Sequence, residues 1–299
     1  MSLLLFLPLL AQVGPGMTIG EQPASQLPIE IIEKKEKEER ERARQAQPFT
    51  LPTAPASAKG CMAQVQADPE GSADVARQAL QTAVARERVR AGLCLGAALT
   101  ELQRFGEARD AFVAARDAAD DGDHLSRARL GDMAANAELA QNQPAKALLL
   151  LAPALTEARA SQSPALIAEV QIDRARALVG VNQMAEADKA LADARTAQPD
   201  NAQSWLLSAT LSRRQNNLIA AGSQIQQAAK LAPSDPAIGL EAGVIAMLSK
   251  DVAAARRSWQ SVVQVAPGSP EAATAQTYLE ETRPDDTAAP GPQQPATPN

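Results

Sequence analysis

Alanine recurs along this chain at a nearly constant interval, and the residues that follow each alanine recur with it. The alanines are Ala108, Ala147, Ala187, Ala221 and Ala255, at intervals of 39, 40, 34 and 34 residues. A bulky or apolar residue follows each by four positions, at Phe112, Leu151, Leu191, Ile225 and Trp259. Residues at this spacing share one face of a helix, and repetition at this period is typical of stacked helical units. The sequence therefore predicts an all-α protein, an α-solenoid of about five to six antiparallel helix hairpins.

Proline-containing turns divide the C-terminal half of the chain into units of equal length. Three such turns begin 34 residues apart, at Pro199, Pro233 and Pro267. Proline cannot continue a helix but is tolerated in its first turn, so each of these segments ends one helix and begins the next. A shorter polar break falls inside each unit, at Asn182-Gln183, Asn216-Asn217 and Ser249-Lys250-Asp251. Each unit is predicted to be a helix, a short turn, a second helix and a longer turn.

These landmarks resemble the tetratricopeptide repeat, an antiparallel helix pair of about 34 residues. Trp205 stands at the tryptophan position of that motif. The eighth position of all five units is small, at Gly96, Ala135, Ala175, Ala209 and Gly243. Small residues allow two helices to cross closely, and hairpins that cannot bury an apolar face alone must stack on their neighbours. The resemblance implies a right-handed superhelix over residues 60–283, about three quarters of the chain.

The resemblance also gives approximate limits for each unit. We expect a degenerate first unit at 60–88 and a capping helix at 270–283. The units between them are expected near 89–122, 128–161, 168–201, 202–235 and 236–269. Insertions of about five and six residues, around Asp120–Asp123 and Ser161–Pro164, account for the two long intervals. Glu138 and Ser208 occupy positions that the motif usually fills with apolar residues. The second unit matches the motif least well, and looser packing or a shifted helix is expected there.

The segments outside the array differ from it in composition. Residues 1–13 are an apolar run of signal-peptide length, and no later segment is suited to span a membrane. A disordered apolar stub is the alternative, because no Lys or Arg precedes the run. Residues 14–59 are predicted to be a linker with one charged, solvated helix at 29–47, and residues 284–299 a disordered Pro-rich tail. We expect a periplasmic or otherwise exported protein, with a cytoplasmic location as the alternative.

The composition argues against several function classes. The net charge is −6, which is unfavourable for a phosphate-backbone partner, so no nucleic acid is expected. The single histidine, His124, lies among carboxylates in a polar segment and is expected to be solvated. The sequence has no Gly-rich phosphate loop, no paired Cys or His metal ligands and no serine nucleophile with a usable base. We therefore expect no enzyme activity, no metal and no cofactor.

The resemblance implies a non-enzymatic interaction scaffold that binds another protein or peptide. In such arrays the first helix of each hairpin lines the concave face, where partners commonly bind. The polar residues expected on that face are Arg90, Arg129, Asp132, Asn136, Glu169, Arg176, Gln203, Thr210, Arg213 and Arg214. The guanidinium group of arginine can donate two parallel hydrogen bonds to a carboxylate, so the expected partner is a peptide with acidic side chains or a free C-terminus. The alternative is that these residues form ordinary solvated helix faces. The carboxylate clamp of chaperone-binding arrays is not reproduced, because Asp132 stands where that clamp has lysine.

A second function stays open at this stage. A membrane-associated subunit of an envelope assembly complex would retain its apolar N-terminal segment as an anchor. The sequence identifies neither the partner nor the oligomeric state.

The two cysteines, Cys61 and Cys94, suggest a covalent link at the start of the array. An even cysteine count in an exported protein favours a disulfide, which would join the degenerate first unit to the first full hairpin. Two buried free thiols are the alternative.

Overall fold

A computed structural model describes residues 61–283. The predictions for the leader at 1–13, the linker at 14–59 with its helix at 29–47, and the tail at 284–299 lie outside the described residues. Within the described part, helices and the turns between them make up the whole chain, which confirms the predicted all-α solenoid. The helices are α1 (Met62–Ala67), α2 (Pro69–Leu80), α3 (Ala85–Glu101), α4 (Phe105–Asp117), α5 (His124–Ala140), α6 (Pro144–Ala160), α7 (Pro164–Gly180), α8 (Met184–Ala197), α9 (Ala202–Arg214), α10 (Leu218–Leu231), α11 (Pro236–Leu248), α12 (Val252–Val265) and α13 (Pro270–Glu281). None of them is long and apolar enough to cross a membrane.

Each full hairpin turns through one residue in the left-handed backbone conformation. These residues are Gln103, Asn142, Asn182, Asn216 and Lys250, with φ between 58° and 66°. Each lies five positions before one of the recurrent alanines, so the alanine period measures the distance between successive hairpin turns. Asparagine, which tolerates this conformation better than most residues, occupies three of the five positions. The hairpins are α3–α4, α5–α6, α7–α8, α9–α10 and α11–α12.

Side chains cap the start of most helices in the array. Asp123 accepts a 3.1 Å hydrogen bond from the backbone N–H of Ser126 at the start of α5. Asn201 accepts a 3.0 Å bond from the backbone N–H of Ser204 at the start of α9. Such a cap satisfies an amide that has no partner within the helix and stabilises by about 1 kcal/mol. The polar residues between the units therefore determine where each helix begins.

The first helices of the three N-terminal full hairpins are longer than the repeat pattern predicts. Helices α3, α5 and α7 each contain 17 residues, whereas α9 and α11 each contain 13. The insertions expected around Asp120–Asp123 and Ser161–Pro164 are therefore mostly additional helix. The physical reason is that Asp123 and Ser163 cap the N-termini of α5 and α7. Each helix therefore begins one turn before the predicted start of its unit, at 128 or 168.

The recurrent residues form the core of the array. All five alanines are 0% exposed, and the bulky residue four positions after each is at most 4% exposed. A methyl group added at Gly96 would overlap the ring of Phe112 where α3 crosses α4. The same addition at Gly243 would overlap the indole of Trp259 where α11 crosses α12. Glycine is therefore required at the eighth position wherever an aromatic ring lies opposite it.

Polar residues at two core positions have partners on a neighbouring helix. Glu138 of α5 is 2% exposed and accepts a 2.9 Å hydrogen bond from Arg109 of α4. Ser208 of α9 is fully buried and accepts a hydrogen bond from Arg195 of α8. The looser packing expected for the second unit is wrong, because Glu138 is paired and Leu151 of the same hairpin is fully buried.

A disulfide attaches the start of the described chain to the first full hairpin. Cys61 immediately precedes α1 and is bonded to Cys94 of α3, with 5.8 Å between the two Cα atoms. Val65 of α1 is fully buried and packs with Ala73 of α2 and Ala97 of α3. Helices α1 and α2 therefore cover one side of α3 through both a covalent bond and apolar packing.

Arg256 caps the C-terminal end of α13. Arg256 of α12 donates a 2.7 Å hydrogen bond to the carbonyl of Leu279 and a 3.0 Å bond to Oγ1 of Thr282. The Leu279 carbonyl lies in the last turn of α13, where acceptors lack partners within the helix. Arg256 therefore joins the end of α13 to the preceding hairpin.

We expect replacement of Arg256 with alanine to fray the C-terminal end of α13. Loss of the charged donor should destabilise this end by about 1–2 kcal/mol. Hydrogen exchange should become faster at the amides of residues 278–282, while α9 and α10 are unchanged. Arg257→Ala is the matched control, because Arg257 is exposed on the same helix. Equal exchange in the two variants would contradict a capping role for Arg256.

Candidate functional site

From the second full hairpin onward, the first helices of successive hairpins lie against one another. Helix α5 contacts α7, α7 contacts α9, α9 contacts α11 and α11 contacts α13. Within residues 61–283, no pair of successive second helices makes a comparable contact. The first helices therefore lie side by side along one face of the array. We call the surface formed by α3, α5, α7, α9 and α11 the first-helix face.

Five of the ten residues predicted to bind a partner lie together between α5 and α7. Asp173 of α7, which the sequence analysis did not single out, lies among them. We call the six residues the α5–α7 cluster. They are Arg129, Asp132 and Asn136 of α5, and Glu169, Asp173 and Arg176 of α7.

Both carboxylate oxygens of Asp173 are occupied. Asn136 donates a 2.7 Å hydrogen bond from Nδ2 to Oδ2, and this bond joins α5 to α7. Arg176 donates a 2.7 Å bond from Nη1 to Oδ1. The Asp173 side chain is only 8% exposed and that of Arg176 is 39% exposed. Arg176 therefore lies over the buried carboxylate, at the surface of the cluster.

Asp132 is the least satisfied member of the cluster. The residue is 8% exposed, and its Oδ1 atom has no hydrogen-bond partner among the described residues. Burial raises the pKa of this carboxyl group well above its usual range. The charges of Asp173 and Glu169, and a hydrogen bond from protonated Asp132 to Asp173, raise it further. Burial also raises the pKa of Glu169, against the opposing effect of Arg129. The environment therefore favours a proton on Asp132.

We expect Asp132→Asn to change how stability depends on pH. Because the folded-state pKa of Asp132 is raised, the folded protein binds this proton more tightly than the unfolded chain. The stability from Asp132 is fully present below the unfolded pKa of about 3.9 and is lost as the pH rises through the folded pKa. Asparagine keeps a donor toward Asp173 but does not titrate. The variant should therefore match wild type near pH 4 and become more stable than wild type as the pH rises.

Urea unfolding across this pH range measures the difference. Asp200→Asn is the control, because Asp200 is exposed in the turn before α9. A difference between Asp132→Asn and wild type that stays constant with pH would contradict the assignment of the raised pKa to Asp132.

The other predicted residues lie outside the cluster. Arg213 of α9 donates a 2.7 Å hydrogen bond to Glu241 of α11, and the two side chains are 10% and 13% exposed. Arg90 and Arg214 are exposed, and Gln203 and Thr210 are half-buried. Arg176 and Arg213 are thus both bonded to carboxylates of the array. An acidic peptide would have to compete with Asp173 and Glu241 for these two arginines.

His124 is half-buried and paired rather than solvated. Its Nδ1 atom lies 2.7 Å from Oε2 of Glu157 on α6, and Arg127 donates a 2.9 Å bond to Oε1 of the same carboxylate. These two hydrogen bonds hold the pKa of Glu157 below its usual range. The three side chains tie the start of α5 to the end of α6. We interpret the histidine as structural.

Two grooves lie at the N-terminal end of the array, away from the α5–α7 cluster. One of about 680 Å³ is lined by apolar residues such as Leu95 and Leu99 and by charged residues such as Arg88. The other, of about 380 Å³, is lined in part by Arg90 and the two disulfide cysteines. In residues 61–283, no group of three or more His, Cys, Asp or Glu side chains is placed to hold a metal ion.

Sequence reasoning missed two acceptors, Asp173 and Glu241. They lie 37 and 28 residues away from their donors Asn136 and Arg213, about one repeat along the chain. Asp173 had a local signal, because it precedes Arg176 by three positions, a spacing that brings side chains together on a helix. Glu241 had no local signal, since its partner belongs to the preceding hairpin.

Comparison with known proteins identifies the fold. No protein-family model matches the sequence, and no curated protein matches it. BtubC from P. vanneervenii has a similar structure, with 12% identity, a TM-score of 0.58, and coverage of 80% of this chain and 98% of that chain. PilW, described as a type IV pilus biogenesis factor, has 15% identity, a TM-score of 0.58, and coverage of 71% and 93%. Yeast Tom70 has 19% identity and a TM-score of 0.57 over 74% of this chain and 45% of its own.

These structures share the tetratricopeptide-repeat fold, and the described chain has that fold too. At these levels of identity the likeness concerns architecture. The α5–α7 cluster is a property of this chain's own residues.

Proposed function

We propose that this tetratricopeptide-type array is a non-enzymatic scaffold that binds a segment of another protein along its first-helix face. The observation that carries the proposal is the α5–α7 cluster. It gathers charged groups on the first-helix face, where a bound segment would touch several hairpins at once. Burying charged groups in this way is unfavourable for stability alone, which supports a role in recognition.

The architecture also supports a binding role. Each hairpin buries its apolar residues against its neighbours, so the array presents a long surface rather than one enclosed cavity. A segment lying across α5, α7 and α9 would contact residues from three hairpins. Affinity would then come from many modest contacts, with specificity at the few buried polar groups.

Site-specific photo-crosslinking in the native host tests this function. A photoreactive residue in place of Arg129 or Thr210 would lie on the first-helix face, on α5 and α9. One in place of Lys189 or Gln226 would lie on the exposed side of the second helices α8 and α10. We expect a discrete crosslinked partner from the first two positions only. Crosslinks confined to the second helices would contradict the proposed face.

A second function is a membrane-associated subunit of an envelope assembly complex, anchored by its apolar N-terminal segment. The likeness in fold to PilW, described as a pilus biogenesis factor, favours this candidate. It differs from the first proposal in where the protein resides. N-terminal sequencing of the mature protein separates the two, because an anchor must retain residues 3–13 and a released scaffold must lose them.

We also propose that the protein is exported to a periplasm or a comparable oxidising compartment. The disulfide between Cys61 and Cys94 supports this location, because such bonds persist where thiols are not kept reduced. Alkylation of protein taken directly from the cell tests it. Two reactive thiols before any reductant is added would favour the cytoplasm.

A further inference from the structure

The α5–α7 cluster contains one more negative group than positive groups. Asp132, Glu169 and Asp173 are carboxylic acids, and Arg129 and Arg176 are the positive groups that act on them. If all three acids ionise, three negative charges face two positive ones and one charge is uncompensated. The groups that act on Asp132 all come from α7, and they are Asp173, Glu169 and Arg176.

Asp132 has an acceptor atom that the protein leaves unused. Its Oδ1 is buried without a hydrogen-bond partner among the described residues, although nearly all buried polar atoms have one. Burial and the neighbouring acids raise the pKa of this carboxyl group, so a proton on it is favoured in the free protein. A carboxyl group that carries a proton still has one oxygen that no donor faces. A cationic group with several N–H donors could donate to both oxygens of the ionised carboxylate.

We propose that Asp132 and Asp173, between α5 and α7, bind one positively charged side chain of the partner segment, a lysine or an arginine. This inference rests on the proposed function, because it names the chemistry that the first-helix face recognises. The incoming cation replaces the proton on Asp132 and balances the third carboxylate. Arg176, at the surface of the pair, moves aside to admit it.

The arrangement of the residues favours an organic cation over two other ligands. A metal ion needs several converging ligands, and no group of three acidic, His or Cys side chains in residues 61–283 is placed to hold one. An acidic peptide would meet the excess negative charge of the cluster.

Binding should release a proton. Because the cation binds the ionised form of Asp132, affinity should rise with pH by up to about tenfold per pH unit while this group is protonated in the free protein. Asp132→Asn removes both the charge and the titration. Its affinity for the same ligand should be lower and should change little with pH.

Selection from a library of short random peptides on the full-length protein provides the probe. We expect selected peptides to share a lysine or arginine at one position. Replacing that residue with glutamine should weaken binding about tenfold or more, and so should Asp132→Asn. The two changes together should weaken binding no more than either alone, because they remove the same contact. Exchange of lysine for arginine in the peptide distinguishes the two cations.

Asp200→Asn is the control, because it removes one negative charge from an exposed turn outside the cluster. Calorimetry in buffers of different ionisation enthalpy should show proton release for wild type and not for Asp132→Asn. Peptides that bind the first-helix face equally well with glutamine would overturn the cation site and leave the scaffold function standing. Selection of no peptide, or of peptides unaffected by changes on that face, would overturn both proposals.

Discussion

Replacing Phe112 with alanine is expected to lower the free energy of unfolding by about 3–5 kcal/mol. The ring is 0% exposed and lies in the cluster of apolar residues that joins the first two full hairpins, with Leu99 of α3 and Leu130 of α5. Removing it leaves a cavity between α3, α4 and α5 that cannot close without moving a helix. Urea unfolding followed by circular dichroism measures the loss.

Leu149→Ala is the control for the loss of a large apolar side chain. Leu149 is 75% exposed on α6, so the same kind of truncation should change stability by less than about 0.5 kcal/mol. A similar loss in both variants would show that the hairpin junctions are not tightly packed.

The residue opposite the ring allows a stricter test. Gly96→Ala should cost about 1–3 kcal/mol, because its methyl group overlaps the Phe112 ring. In the Phe112→Ala background the methyl group instead fills part of the cavity, so its cost should disappear. Gly222→Ala is the control for helix propensity, since no atom lies within 4 Å of its added methyl group, and it should stabilise by about 0.5–1 kcal/mol. Additive effects of the Gly96 and Phe112 changes would contradict direct packing between them.

The fold could be predicted because its packing rule is local. A small residue at the crossing and a large residue one turn after each alanine recur within one hairpin, so the sequence displays them at a fixed period. The lengths of α5 and α7 could not be predicted from that period. They depend on whether Asp123 and Ser163 act as caps, and the repeat pattern alone does not decide which polar residue does so.

The candidate site was predictable only in part, because its bonds join different repeats. Asp132 and Asn136 share a helix with Arg129, and their position on the first-helix face follows from spacing. Their partner Asp173 lies on the next first helix, and its pairing with Asn136 depends on how α5 and α7 pack. His124 and Glu157 lie 33 residues apart on the two helices of one hairpin, and their contact likewise depends on how those helices pack. Polar contacts between repeats follow no fixed period, so the sequence does not display them.

The second large effect concerns the disulfide. Reducing the bond between Cys61 and Cys94 is expected to lower the free energy of unfolding by about 3–4 kcal/mol, from the chain-entropy model for a loop of this length. The two residues are 33 positions apart, and the loop contains all of α1 and α2. Without the bond, Val65 and its neighbours must hold α1 by apolar packing alone. Urea unfolding with and without a phosphine reductant measures the change.

The control for the reductant is the double variant Cys61→Ser, Cys94→Ser. Its stability should resemble that of the reduced wild type and should not respond to reductant. A wild-type protein that is equally stable in both conditions would show that the bond contributes little, or that the reduced α1 packs as well as the oxidised one.

Reduction of the disulfide should destabilise some helices more than others. In a stacked array each hairpin contacts mainly its neighbours, so the effect of reduction should diminish with distance from α1. Hydrogen exchange should accelerate first in α1, α2 and the start of α3, while α9 to α12 keep their protection. Equal acceleration in α9 to α12 would mean that the array unfolds as one cooperative unit. In that case Cys61 and Cys94 would control the stability of the α5–α7 cluster as well, and reduction would weaken partner binding.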